Sequence, residues 1–200
     1  MSPLLTYGLI GYFAGAIPTG VLLGRIVGQD PRQSGSGNIG ASNVARALGK
    51  KWGLVTLVVD VAKGALPTLA ALQWVSLETA LLTGFLATAG HCFPVWLKFR
   101  GGKGVATAFG AVVVVLPIIA VIAAILWVTI VYLTKVPTFG SLTAAALFVG
   151  LPHLDPHPME LHLFTLSLAC LILVRHGKNL TVLRARKARE KARQKTKSGR

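Results

Sequence analysis

The sequence predicts an all-α integral membrane protein with seven transmembrane helices, and three observations carry that expectation. Of its 200 residues, 53% are hydrophobic and only 14% are charged, about half the charged share of a soluble domain. The apolar residues fall in runs of roughly bilayer length, separated by short polar segments. The charge is one-sided, with 21 Lys+Arg against 6 Asp+Glu and a formal net charge of +15. Mean hydropathy is +0.64. Basic chains often bind nucleic acid, but cations set between long apolar runs belong to a membrane surface instead. No nucleic-acid partner is expected.

The spans follow in order. Residues 4–27, 52–72 and 77–97 are three apolar runs. Residues 105–133 form a longer one, interrupted by Pro117, and 139–151 and 161–174 are two shorter ones. Cations mark the cytoplasmic side of short loops. The basic segments are 28–51, 98–104, Lys135 and the tail, whereas Glu78, Asp155 and Glu160 fall in loops without Lys or Arg. If 105–133 crossed once, a tail with nine cations would emerge outside. Crossing twice, with a turn near Pro117, brings Lys135 and the tail inside. The expected topology is therefore seven helices, N-terminus outside and C-terminus cytoplasmic, with residues 1–183 as one domain and 184–200 as a basic tail. The tail reads as a solvated charge run drawn to anionic lipid. Cys92 and Cys170 stand in apolar surroundings and imply neither a disulfide framework nor a metal site. The opening run lacks a basic segment before it, so it is expected to be a retained span rather than a signal peptide.

Three polar islands carry the chemistry, all on the cytoplasmic side of that topology. The first, residues 34–46, reads Ser-Gly-Ser-Gly-Asn-Ile-Gly-Ala-Ser-Asn-Val-Ala-Arg. Its Gly35, Gly37 and Gly40 match G-x-G-x-x-G, but a dinucleotide site needs a preceding strand, and a membrane span precedes this one. Asp60, in the acidic position of that fingerprint, lies inside a span one helical turn from Lys63, so an intramembrane ion pair explains it better. The underlying physics survives: glycines let amides approach an anion, and a helix starting near Asn38 would point its positive end there. On such a helix Asn43 and Arg46 share a face, as do Ser42 and Arg46. A well-capped connector helix accounts for the same residues equally well.

The second island runs from Gly90-His91-Cys92-Phe93-Pro94 to Arg100-Gly101-Gly102-Lys103-Gly104-Val105-Ala106-Thr107. It is a near miss for a nucleotide-binding P-loop, because position 97 is Leu and position 104 is Gly. A helix N-terminus fitted for phosphate remains. His91 beside it is either a general base or a residue that only positions other groups. The third island is Arg175-His176-Gly177-Lys178-Asn179; its cations suit a helix C-terminus and topology, whereas Asn179 contributes nothing to either. Several phosphate-friendly islands on one face suggest more than one phosphate. With only 6 acids and none clustered there, no metal is expected.

Taken together, these three segments resemble the bacterial inner-membrane glycerol-3-phosphate acyltransferases that use acyl phosphate as donor. The resemblance runs from the first span to about Leu183 and leaves the tail outside. It implies a multi-pass enzyme of the bacterial inner membrane with its site facing the cytoplasm, working in phospholipid synthesis without a cofactor. The implied reaction moves a fatty acyl group from acyl phosphate to the 1-hydroxyl of sn-glycerol 3-phosphate, yielding 1-acylglycerol 3-phosphate (lysophosphatidic acid) and phosphate. Its implied partners are these two substrates and membrane lipid, with room for an enzyme that makes the acyl phosphate. By position, the catalytic residues are Ser36 and His91. The phosphate-binding residues are Gly37, Asn38, Gly40, Asn43, Arg46, Gly102, Lys103, Gly104, Thr107, His176 and Asn179. Ser42 stands where the family commonly has Thr, and keeps the hydroxyl.

In this reading Ser36, the amides of Gly37–Gly40 and Lys103 hold the donor phosphate, and Arg46, His176 and Asn179 orient the acceptor. A small anion permease is the competing class, but it calls for an inverted repeat and polar groups on both faces. A lipid-binding scaffold has no use for Ser36 and Asn43 at fixed spacing.

Overall fold

The computed structural model describes residues 1–154 and 157–177. The expectations for Asp155, Lys178, Asn179 and the tail lie outside the described residues. Among those described, nine α-helices follow one another: α1 (Pro3–Ala16), α2 (Thr19–Val27), α3 (Ala41–Leu48), α4 (Lys50–Trp74), α5 (Leu77–Cys92), α6 (Val105–Val115), α7 (Pro117–Thr134), α8 (Pro137–Gly150) and α9 (Met159–Gly177).

Proline sets the breaks. Pro18 lacks an N–H and disfavours helical geometry at the residue before it, so α1 stops at Ala16 and α2 starts at Thr19. Pro117 does the same in the long apolar run: Leu116 leaves helical geometry at φ −141° and ψ 64°, and α7 begins at the proline. The break expected near Pro117 is there. The lengths differ from seven equal crossings. Five stretches are long and apolar enough to span: Pro3–Val27, Lys50–Trp74, Leu77–Leu97, Pro117–Thr134 and Met159–Gly177. Val105–Val115 and Pro137–Gly150 are apolar but shorter. At 1.5 Å per residue, the 11 residues of α6 reach only about 16 Å, against a hydrocarbon core of about 30 Å. The first span is two helices in line rather than one.

Small residues let the helices close on one another. Gly11 and Gly15 of α1 meet the carbonyls of Thr83 and Ala87 on α5, and a methyl group at either position would collide with them. Gly64 of α4 and Gly110 of α6 face the Thr107 and Val61 carbonyls in the same way. Close backbone approach of this kind supplies the packing that holds helices together where lipid removes the hydrophobic drive. Buried threonines return their hydroxyls to their own helix. Thr68 donates to Gly64 O at 2.7 Å, and Thr83 to Thr79 O at 2.7 Å. An apolar core of Val112, Phe148, Phe164, Leu168 and Ile172 fills the space among α6, α8 and α9. On α7, Ile118, Val121, Ile125 and Val128 face outward, as lipid-facing residues do.

Candidate active site

The first glycine loop is organised by one side chain. Asn43, on α3, is 2% exposed and turns its amide back into the loop. Its Oδ1 accepts from the Ser36 N–H at 2.8 Å and the Ser36 hydroxyl at 3.1 Å. Its Nδ2 donates to the carbonyls of Pro31 at 2.7 Å, Asn38 at 2.8 Å and Ser34 at 3.1 Å. Gly35 lies in the left-handed region at φ 61°, and a Cβ there would strike Asn43 Oδ1, so only glycine suits the position.

Several sequence expectations change here. The helix begins at Ala41, not near Asn38, because Asn38 Oδ1 accepts from the Gly40 N–H at 2.9 Å and holds the chain in an Asx turn. The Gly37 N–H is spent on Ser34 O at 3.1 Å. The amides of Gly37 and Gly40 are therefore loop bonds rather than phosphate donors. Asn43 and Arg46 lie three apart on α3, as expected, but they differ in exposure: Asn43 is enclosed and Arg46 is exposed. Asn43 is committed to the loop and Arg46 is free to meet a ligand. The segment before the loop is α2, not a strand, as the rejection of a dinucleotide site requires.

The second loop is held from outside itself. The Gly101 N–H donates to Cys92 O at 3.1 Å and the Gly102 N–H to His91 O at 2.9 Å, so both amides close the end of α5. Gly102 is thus not an amide donor to a phosphate. It is glycine because the His91 ring lies where its side chain would be, with Nε2 against it. Gly104 takes φ 80°, and a Cβ there would press on Cys92 Sγ and Thr88. Arg175 reaches from α9 to clamp this loop, with Nε on Gly102 O at 2.9 Å and Nη2 on Gly101 O at 2.7 Å. Its guanidinium stacks 5.1 Å from the centre of the Phe93 ring. Sequence reading gave Arg175 to topology and missed this role. A planar fork matched to two adjacent carbonyls leaves no periodic signal.

The islands converge on Lys103. Half-buried in its loop, Lys103 is pushed down to about 8, first by burial and then by the nearby charges of Arg46 and Arg175. The electrostatic reach of Lys103 and Arg175 extends to His176, which is buried near the end of α9 with Nδ1 2.8 Å from Ile172 O. Cations from three separate segments thus act on one another, and among the described residues no carboxylate acts on Lys103. A cluster of that kind asks for an anion. Thr107 behaves otherwise. On the first turn of α6, its hydroxyl is fully enclosed and has no hydrogen-bond partner among the described residues. His91 is 4% exposed, beneath the loops. The expected ion pair is present, Lys63 Nζ lying 2.8 Å from Asp60 Oδ1.

Ser36 is exposed. Its hydroxyl donates to the Asn43 amide oxygen, a group that cannot act as the base a serine nucleophile requires.

Known proteins share this fold. The family described as Glycerol-3-phosphate acyltransferase matches residues 5–186. A glycerol-3-phosphate acyltransferase of Myxococcus xanthus is 44% identical over 184 residues, covering 90% of this chain and 96% of that one. One from Syntrophotalea carbinolica is 43% identical, covering 86% and 89% of the two chains. Among solved structures, crystal forms of PlsY (YgiH), described as an integral membrane glycerol 3-phosphate acyltransferase, superpose on this fold. The glycerol 3-phosphate form has a TM-score of 0.88 at 33% identity, covering 92% of this chain and 93% of that one. The lysophosphatidic acid form has a TM-score of 0.85. With cations from α3, α9 and the loop before α6 set near one another on a helical bundle, this chain belongs to the glycerol-3-phosphate acyltransferase family and is an acyltransferase.

Proposed function

We propose that the enzyme transfers a fatty acyl group from acyl phosphate to the 1-hydroxyl of sn-glycerol 3-phosphate, releasing phosphate and 1-acylglycerol 3-phosphate. One observation carries the reading: Arg175 bonds the loop that holds Lys103, and the charges of Arg46 and Arg175 act on Lys103 with no carboxylate beside them among the described residues. Both substrates are phosphates. The solved relatives are described in glycerol 3-phosphate and lysophosphatidic acid forms, which supports the acceptor and the product. The donor is argued from its chemistry. A mixed anhydride already carries a good leaving group, so the protein has only to align two phosphates and stabilise charge.

In this mechanism Lys103 and the Ser36 hydroxyl hold the donor phosphate, and Arg46, His176 and Asn179 orient the acceptor. Arg175 and Asn43 are positioning residues, one for each loop. The acceptor oxygen attacks the acyl carbon, the bond from that carbon to the phosphate oxygen breaks, and the hydroxyl proton leaves with the phosphate. The enclosure of His91 supports positioning over direct proton removal. The site faces the cytoplasm of a bacterial inner membrane, the chain crosses seven times, and α6 and α8 cross as short helices completed by adjoining loops. An enzyme that makes acyl phosphate supplies the donor, and phospholipid synthesis consumes the product.

The test uses purified protein in detergent with acyl phosphate and glycerol 3-phosphate, reading lysophosphatidic acid and released phosphate. Both are expected in equal amounts. Product from acyl coenzyme A but not from acyl phosphate would overturn the donor assignment. No acyl product from either would overturn the function.

A further inference from the structure

A buried ion pair belongs to none of the three islands and yet touches two of the segments that hold them. Asp60 and Lys63, one turn apart on α4, have side chains only 3% and 5% exposed. Burying two charges costs several kcal/mol per ion and is often no more stabilising than apolar packing of the same volume. Such a pair calls for a reason beyond stability.

Its neighbours supply one. Lys63 Nζ donates to Ile17 O at 2.9 Å, at the break between α1 and α2. That carbonyl, just past the end of α1, also accepts from the Thr19 N–H at 3.0 Å, and α2 leads toward the first loop. On the other side Asp60 Oδ1 faces His91 Nδ1 across 3.7 Å. Asp60 Oδ1 is ion-paired with Lys63 but makes no hydrogen bond of good geometry, and His91 Nδ1, fully buried, has no partner among the described residues. A buried ring nitrogen at that distance from a carboxylate oxygen is one small ring movement, about 0.7 Å, from a hydrogen bond. The far edge of the same ring, Nε2, fills the space a side chain at Gly102 would need. The Gly102 carbonyl in turn receives Arg175. One line of contacts therefore runs from the α1–α2 break through Lys63, Asp60 and His91 to the second loop and its clamp.

We propose that Asp60, braced by Lys63, is a positioning residue of the acyl transfer: it orients the His91 ring, and the ring sets the height of the Gly101–Gly104 loop and hence of Lys103. A carboxylate facing Nδ1 selects the ring tautomer that carries its proton there. Asp60 touches no substrate and acts only through His91. The inference rests on the functional reading above, so its test carries a readout that does not need turnover.

The experiment is a double-mutant cycle between Asp60→Asn and His91→Gln in the full-length protein, reading kcat and KM for both substrates. The ring-nitrogen shifts of His91 are read in parallel on histidine-labelled protein. Asp60→Asn is expected to lower kcat about ten- to hundredfold with little change in KM, the signature of a small misplacement. In the His91→Gln background it should cost less than about twofold, because residues acting as one unit are not additive. The His91 ring shifts should move in Asp60→Asn.

Equal losses in both backgrounds, or unchanged ring shifts, would overturn the proposal. If Asp60→Asn alone does not fold because it leaves Lys63 unpaired, Asp60→Asn with Lys63→Gln removes both charges and takes its place in the cycle. Failure of that variant to fold would assign the pair to the fold and also overturn the proposal. A wild-type enzyme without product would instead sink the functional reading, while the ring shifts still report whether Asp60 orients His91.

Discussion

The two glycine loops look alike in sequence and are built on opposite principles. The first is held from within: the side chain of Asn43, only a few residues past the loop, ties Pro31, Ser34, Ser36 and Asn38 to α3. The second is held from without, by the α5 carbonyls of His91 and Cys92 and by Arg175, more than seventy residues further along the chain. A locally tied loop folds with its helix and keeps its shape if the bundle shifts. A loop clamped by a distant arginine is only as ordered as the packing of α9 on the rest. The difference makes Lys103, on the second loop, the part of the site most sensitive to the bundle, and Ser36 the part least sensitive.

The largest effect should come from removing the internal tie. Asn43→Leu keeps the volume and deletes five side-chain contacts, leaving the Asn38 carbonyl without its amide donor and the Pro31 and Ser34 carbonyls with only the backbone N–H groups of Ser34 and Gly37. At about 1 kcal/mol for each net bond, the loop loses several kcal/mol. We expect kcat/KM to fall more than about hundredfold with helical circular dichroism unchanged and new protease sensitivity near Gly35. Asn43→Asp keeps the acceptor and loses the donors, so it should fall between the two. Activity within a few-fold of wild type in Asn43→Leu would mean that the loop is shaped by something other than Asn43.

Breaking the external clamp should cost less. Arg175→Lys keeps the charge but cannot reach two carbonyls at once or stack flat on Phe93. A loss of about ten- to hundredfold is expected, with the first loop's protease pattern unaltered. If the two variants loosened both loops alike, the contrast between them would fail.

How much of this was legible beforehand divides along the same line. The apolar helical bundle, the break near Pro117 and the Asp60–Lys63 pair follow from hydropathy, proline and spacing, and all are present. The direction of side chains at loop junctions was not legible. Spacing placed Asn43 and Arg46 on one helical face, but spacing does not say that a loop folds back over one of them. Glycine-rich text suggested free amides at Gly37, Gly40 and Gly102, and each is used to build the loop itself. Arg175 and Gly102 are partners only through tertiary packing, which no local pattern records.

A third effect separates the site's charge from its shape, through pH. Free Lys103 holds its proton below about 8 instead of the usual 10.5. Phosphate binds the ammonium, so kcat/KM should decline as pH rises through that value, by up to about tenfold per pH unit. Stability should move the other way. Between about 8 and 10.5 the unfolded chain carries a proton on this lysine that the folded chain lacks, so stability from this group rises with pH across that window. Lys103→Gln should flatten both curves. A wild-type melting temperature in detergent that falls together with activity would show that another group governs the profile.

The smallest effect tests whether the first loop depends on anything besides Asn43. Asp30 and Arg32 form a close pair in that loop, Arg32 Nη2 lying 2.6 Å from Asp30 Oδ2. The Arg32 side chain, through its hydrogen bond, holds the Asp30 carboxyl below its usual range. Geometrically it is the best ion pair near the site. It is also largely exposed, with side-chain exposures of 46% and 26%, and exposed pairs contribute between nothing and about 1 kcal/mol. A depressed carboxyl stabilises above its ordinary range and loses that contribution only as pH falls through it, so nothing changes near neutrality. Arg32→Ala should therefore leave kcat/KM within about twofold of wild type and the protease pattern of the first loop intact. A loss approaching that of Asn43→Leu would mean that the loop is held by charge at its rim rather than by the amide at its centre, and the contrast between the two loops would have to be redrawn.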